Sequence, residues 1–339
     1  MTAAFLETPL PLVAAPMAGG ATTVDLGAAA TGAGALAFLA GGYLSAEALH
    51  DRIRAARDWG VFGVNLFVPG ADAVDAEAFR RYAGELADEA RAGGVTLDPV
   101  PRTDDDAWSD KVALLCEEPV PVVSFTFALP DRSDIERLRR AGSAVLATVT
   151  TVAEARFAED AGVDGLIVQG PSAGGHSATW DPDRRIADGA TAPIVSAVRR
   201  NTSLPLIAAG GVDGPAAVAA LLHAGADAVA VGTLLLRTDE SGASQTHRDA
   251  LASPEYTETA VTRAFTGRPA RALRNGFIDR HASREITAYP AVHHLTRELR
   301  QRAAASGDAE RLHLWAGTGY RAAGTGPASD VLRSLTASL

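Results

Sequence analysis

The run LPLIAAGGVDGPAAVAALLHAGADAVAVGT, Leu204 to Thr233, decides the fold. It opens on an apolar stretch (204–210), turns through a Gly-Gly pair, runs through a helical pattern and ends in a second apolar stretch (228–233). Neither apolar stretch alternates with polar residues, so each strand needs cover on both faces, which a parallel sheet flanked by helices supplies. The same rhythm recurs toward the N-terminus. "LVAAP" (12–16), "ALAFL" (35–39), "FGVNLF" (62–67), "PVVSFTF" (121–127), "AVLATV" (144–149) and "GLIVQG" (165–170) are six further candidate strands. Helical patterns such as "SAEALHDRIRAARDWG" and "TVAEARFAEDAG" separate them, several opening on Ser, Thr or Asp and closing on Gly. Eight such units in series predict an α/β fold, a (β/α)8 TIM barrel.

The rhythm breaks twice. Gly93 to Asp110, with its prolines and Asp triplet, reads as a surface excursion. From 237 to 311 the pattern becomes several polar helices with no obvious strands, including "SPEYTETAVTRAFTG", "RALRNGFIDRH" and "VHHLTRELRQRAAASG". The expected division is therefore a barrel over 1–236, completed by 312–339, with 237–311 a helical substrate subdomain covering its mouth.

Of the 339 residues, 47% are hydrophobic and 21% charged, which supplies a sizeable core. The net charge of −10 and the absence of a long basic run argue against nucleic acid as a partner. A lone Cys116 excludes an internal disulfide and a multi-Cys metal site. No basic segment followed by an apolar one opens the chain, so no secretory signal is expected and the expected location is cytoplasmic. Leu26 to Leu44 lacks charge, yet its Ala, Gly and Thr content reads as a buried helix, turn and strand rather than a membrane span. Among the histidines, adjacent His293 and His294 cannot share a helix face, and His50, His247, His281 and His313 show no paired ligand spacing. No metal site is expected.

Barrel chemistry sits at the C-terminal strand ends. The last two strands end in Gly210-Gly211 and Gly232-Thr233, where backbone N–H groups can approach an anion, so these four residues read as a phosphate cradle. Pro16 and Met17 end the first strand, Asn65 lies in the third and Gln169 ends the sixth. Two amides and a polarizable side chain on one rim suit a flat heteroaromatic cofactor. His176 follows the sixth strand by a Gly-rich loop in "VQGPSAGGHSATWD", placed for a general base or hydrogen-bond donor.

In order and spacing, "APMAGGATTVDLGAAATGAGALAFLAGGYL", "FGVNLFVP", "VVSFTFALP", "VQGPSAGGHSATW", "PLIAAGGVDG", "AVGTLLL", "AFTGRPARALRNGF" and "LWAGTGYRAA" together resemble the nitronate monooxygenases, formerly 2-nitropropane dioxygenases, from about residue 9 to 323. The resemblance implies a flavin oxidoreductase. It would hold non-covalent FMN and oxidise an alkyl nitronate or nitroalkane with O2 to a carbonyl compound and nitrite. It implies His176 as the catalytic residue, Asn65, Gln169 and Gly174 as flavin contacts, Pro16 and Met17 as contacts through their backbones, and Gly210, Gly211, Gly232 and Thr233 at the phosphate. The family pattern carries Glu where this chain has Ser172, and Ser177 to Trp180 replaces an Arg-Gly pair in a region expected to face substrate. A homodimer is compatible with the sequence without being derived from it.

The nearest alternative is a flavin-dependent enoyl-[acyl-carrier-protein] reductase of the same barrel superfamily, which would load its flavin from a nicotinamide. An inosinate-type dehydrogenase would need a Cys in the loop after the sixth strand, and Val168 to Asp181 holds none. An isomerase would be colourless, and a flavin- or small-ligand-binding regulator with a degenerate site is left open by Ser172, while His176 speaks against it.

Overall fold

A computed structural model describes residues 3–70 and 74–337. Among the described residues eleven strands are formed in chain order: β1 (Leu12–Ala14), β2 (Leu36–Ala40), β3 (Phe62–Phe67), β4 (Val122–Thr126), β5 (Ala144–Val149), β6 (Gly165–Gln169), β7 (Gly175–His176), β8 (Leu206–Ala209), β9 (Ala228–Val231), β10 (Thr259–Thr262) and β11 (Ala270–Leu273). Strands β1 to β6, β8 and β9 close into a parallel barrel, with β9 pairing back onto β1. All eight strands expected from the sequence are present. They form because nearly every side chain along them is buried on one face or the other.

Val13, Leu36, Phe38, Val122, Leu146, Ile167 and Ile207 fill the barrel interior, with Phe5 and Leu6 packed beneath them. The outward-facing residues, among them Leu12, Leu39, Val64 and Val123, join the helices in a second and larger core. Gly63 in β3 is needed for that interior, because a Cβ there would lie 2.3 Å from the Phe38 ring. The connecting helices carry the capping chemistry their sequences promise. Thr151 and Glu154 form a capping box on the Val152–Ala161 helix, which ends at Gly162 in the left-handed conformation.

The segment 237–311 departs from the expected array of helices. It does contain helices at Gln245–Ala252, Gly276–His281 and Ala291–Ser306, but "TAVT" and "ARAL" form the antiparallel pair β10–β11. Strand β11 also pairs with β7, setting Ala270 opposite His176. Pairing across about ninety residues decides this structure, and long-range pairing outweighs the local helical character of Ala, Arg and Leu. Arg271 strengthens the join: it is buried, donates to the Pro171 carbonyl at 2.9 Å and meets Asp188 at 2.5 Å. The core of this region draws Phe265, Phe277 and Val292 together with Phe79, Tyr82 and Leu86 from the Ala76–Glu85 helix and the residue after it.

The excursion after Gly93 is not confined to the surface. Arg102 and Asp104 to Ala107 return to line the cavity at the barrel mouth.

Candidate active site

A cavity of about 930 Å³ opens at the C-terminal ends of the barrel strands, and all ten residues singled out from the sequence line it. Their hydrogen bonds differ in what they leave available. In β3, Asn65 is 4% exposed, and its Oδ1 accepts from Ser124 Oγ at 2.8 Å and Thr126 Oγ1 at 2.9 Å. The oxygen is thereby committed to β4, leaving the amide NH2 as the end available to a ligand. Gln169 is committed at both ends: Nε2 donates to the His176 carbonyl at 3.1 Å, and Oε1 accepts from Ala178 N at 2.7 Å. It therefore holds the histidine loop in place. Met17 N donates to Thr22 Oγ1 at 2.7 Å, so the part of Met17 left to the cavity is its side chain.

The glycines sit where three loops converge. A Cβ on Gly174 would lie 2.4 Å from Gly317 N, and one on Gly210 would lie 2.7 Å from Ala173 N. Gly210 and Gly211 also hold φ of +110° and +80°, where glycine is favoured. Thr233 Oγ1 accepts from Gly317 N at 3.0 Å, tying the β9 end to the chain near Trp315. The N–H groups of Gly211, Gly232 and Thr233 make no hydrogen bond among the described residues. Three residues that line the cavity thus keep an uncommitted backbone donor.

Pairing of β7 with β11 fixes the backbone of His176, whose Nε2 lies 2.9 Å from Thr266 Oγ1. Its ring meets Phe127, Tyr289 and Trp315 at centroid distances of 5.6, 5.8 and 5.5 Å. Phe127 and Tyr43 hold φ of +86° and +66°, a strained conformation that the surrounding packing must maintain. Burial, with the charges of Arg268 and Arg300, pushes the His176 imidazolium down to about 3, so the ring is neutral at pH 7.

The structure adds four histidines that sequence spacing passes over: His294 lines the same cavity as His176, beside Asp104, and so do three from separate segments, His247, His293 and His313. Burial lowers all three, His247 to about 4. Tyr43 stacks on His293 at 4.1 Å and 9°. His247 Nε2 lies 3.1 Å from the Trp315 carbonyl, while His313 Nδ1 is buried without a hydrogen-bond partner. Among the described residues no group of His, Cys, Asp and Glu could hold a metal ion.

The segment expected to face substrate after His176 faces inward instead. Ala178 and Thr179 are fully buried, Trp180 Nε1 donates to the Thr148 carbonyl, and none of Ser177 to Trp180 lines the cavity. Ser172 likewise turns away, its hydroxyl donating to the Gly189 carbonyl at 3.1 Å and lying 3.1 Å from Thr191 Oγ1. A Glu in its place would bring a charge into that packed loop.

These histidines, shielded from water, are expected to set the acid limit of the fold. Each has a folded pKa below its unfolded value of about 6.5, so the unfolded chain takes up protons first as pH falls. Stability should therefore be intact above pH 6.5 and decline below it, toward the folded values near 4 for His247 and near 3 for His176. In urea titrations the slope should reach up to about 1.4 kcal/mol per pH unit for each histidine. A flat profile between pH 6.5 and 4.5 would mean that these rings take up protons in the folded state.

Among the described residues no helix is long and apolar enough to cross a membrane. The nitronate monooxygenase family pattern matches residues 3–338. A probable nitronate monooxygenase of Staphylococcus aureus (strain MRSA252) is 34% identical over 98% of this chain and 94% of its own. The crystal structure of a nitroalkane oxidase from Streptomyces ansochromogenes superposes with a TM-score of 0.92 at 45% identity, covering 97% of this chain and 95% of that one. FabK from Thermotoga maritima is more distant, with a TM-score of 0.74 at 27% identity over 98% of this chain and 93% of that one. With its eight-stranded parallel barrel, the chain belongs to the nitronate monooxygenase family and is a flavin oxidoreductase.

Proposed function

We propose that the protein oxidises alkyl nitronates with O2, giving a carbonyl compound and nitrite. One observation carries this reading: a neutral, half-buried His176 is held by Thr266 among aromatic rings in the barrel cavity, which the glycine strand ends with their free backbone donors also line. FMN fits the residues present. Its phosphate would take the N–H groups of Gly211, Gly232 and Thr233, Gly174 would allow the close approach of the loops, and Asn65 would offer its NH2 to the ring edge, with Pro16, Met17 and Gln169 beside it. When bound, FMN supplies the one-electron chemistry between substrate and O2.

The chain's own groups bind, orient and exclude water. Residues 237–311, with the helices over 76–93 packed against them, serve as the cover, and Phe127, Tyr289 and Trp315 close the space around His176. Neutral His176 is the form that accepts the α-proton of a nitroalkane. The same burial and the two guanidinium charges that keep it neutral also oppose the proton it would take up, so an already ionised nitronate suits this site best. Anaerobic mixing tests the reading against the enoyl reductase alternative. The bound flavin should bleach with ethyl nitronate and not with NADH or NADPH, and nitrite should appear in air; rapid bleaching by a nicotinamide would overturn the proposal.

Thr266 positions the ring. Its single hydroxyl proton lies between His176 Nε2 and the Arg268 carbonyl, the latter at 3.3 Å. That carbonyl can only accept, so a proton sent there makes Nε2 the donor and leaves Nδ1 with the lone pair. Thr266→Val removes the partner while keeping the shape. Turnover of neutral nitroethane should fall by roughly 5- to 100-fold, the cost of about 1–3 kcal/mol for an unmet buried hydrogen bond. An unchanged kcat would show that packing alone orients the ring.

A further inference from the structure

The geometry points to Arg300 as the residue that holds the anionic group of the substrate in the cavity. This rests on the nitronate reading above and names a residue that neither the sequence motifs nor that reading assigns. Arg300 lies on the Ala291–Ser306 helix, is 7% exposed and lines the cavity. Its guanidinium donates to the His293 carbonyl at 2.9 Å and from Nε to Thr296 Oγ1 at 3.0 Å, with His293 Nδ1 at 3.2 Å. Every one of these partners is neutral. No carboxylate pairs with Arg300 among the described residues, although buried cations ordinarily have one. The other groups that act on it are Tyr43 and Tyr289, both held neutral, and Arg297, a like charge one turn earlier in the helix.

The Arg300 charge reaches the reacting end of the cavity, since it weighs on His176, His293 and His313 together. His313 Nδ1, buried and unpartnered in the same cavity, offers a second polar contact. The cavity therefore has a built cation with no carboxylate paired to it, and a polar neighbour; of the aspartates that also line the cavity, Asp106 is paired with Lys111 at 2.8 Å and Asp104 with His294 at 2.9 Å. An anion entering it would meet a guanidinium whose desolvation the fold has already imposed, which makes the charge-assisted bond strong. A neutral nitroalkane gains much less from the same group, so Arg300 discriminates the ionised substrate from its neutral acid. Two anions share this chemistry: the nitronate oxygens themselves, or a carboxylate elsewhere on the nitronate.

The test uses the flavin-loaded enzyme with Arg300→Gln and Arg300→Lys. For Arg300→Gln, the KM for a nitronate should rise by at least about tenfold with a smaller change in kcat, Arg300→Lys should lie between, and the KM for neutral nitroethane should stay within about twofold. A rise confined to a carboxylate-bearing nitronate assigns Arg300 to the carboxylate, whereas an equal rise for ethyl nitronate assigns it to the nitronate oxygens. Nitrate, a planar oxyanion with no carbon to oxidise, supplies a readout besides turnover. It should perturb the bound flavin spectrum of the parent and of Arg300→Lys and not that of Arg300→Gln. Parental KM values for both nitronates, or an equal rise for nitronate and nitroethane, overturn the proposal. Should Arg300→Gln fail to fold, a parent whose spectrum is indifferent to nitrate overturns it as well. Absence of nitrite from any nitronate with the parent would instead remove the nitronate reading, leaving nitrate binding to report on Arg300.

Discussion

His176→Asn is expected to yield a folded, yellow protein that has lost turnover of neutral nitroalkanes by about 10²- to 10⁴-fold, the usual contribution of a positioned general base. The fold should survive because the backbone of residue 176, rather than its ring, makes the structural bonds: pairing with Ala270 on β11 and acceptance from Gln169 Nε2. Asn can still reach Thr266 Oγ1 but cannot accept and hold a proton at neutral pH. A preformed nitronate has no proton left to give up at that carbon, so its turnover should fall far less. The ratio of the two losses, measured by nitrite release with nitroethane and with ethyl nitronate, is the informative quantity. Equal losses would make His176 a binding group rather than a base, and no loss with either substrate would remove it from the chemistry.

That histidine is legible in the sequence because its surroundings are local: a strand end, a Gly-Gly pair and one titratable side chain within a dozen residues. The barrel strands are legible for a similar reason, since burial on both faces writes a continuous apolar run into each. What stays hidden is whatever depends on convergence. His247, His293 and His313 have no mutual spacing to notice, because three elements far apart in the chain bring them to one cavity. Strand β10 reads as helix because "TAVT" acquires its structure from β11, and β11 is anchored in turn to the two-residue β7. The burial of Ser177 to Trp180 is hidden in the same way: a polar stretch beside a catalytic candidate looks exposed until Gln169, Thr148 and the Pro269 carbonyl are seen to take its hydrogen bonds. Arg300 is the sharpest case. In sequence it is one of several arginines on a polar helix, and only the fold shows that, of the arginines on that helix, it is the buried one and has neutral partners.

Two alanine substitutions at the glycine cradle separate folding from flavin binding. Gly174→Ala puts a methyl group 2.4 Å from Gly317 N and 2.6 Å from the Ala316 carbonyl carbon, both backbone atoms that cannot turn aside. The two loops must part, so the flavin-free protein itself should be destabilised, by about 1–3 kcal/mol as for other overpacked sites. Its flavin affinity should fall as a consequence. Gly232→Ala is different: its nearest neighbours would be Ala15 Cβ at 3.6 Å and Met17 Sδ at 3.7 Å, ordinary contact distances, and its φ of −118° is open to alanine. Nothing in the protein opposes that methyl group. The melting temperature of the flavin-free protein should therefore match the parent's. If the N–H groups of Gly232 and Thr233 receive the flavin phosphate, however, the methyl group stands in the approach of that ligand, and fluorescence titration with FMN should show affinity reduced by roughly tenfold or more, about 1.4 kcal/mol. A Gly232→Ala protein that binds FMN as tightly as the parent would move the phosphate away from the β9 end, leaving Gly210 and Gly211, with their positive φ, as glycines required by the turn alone.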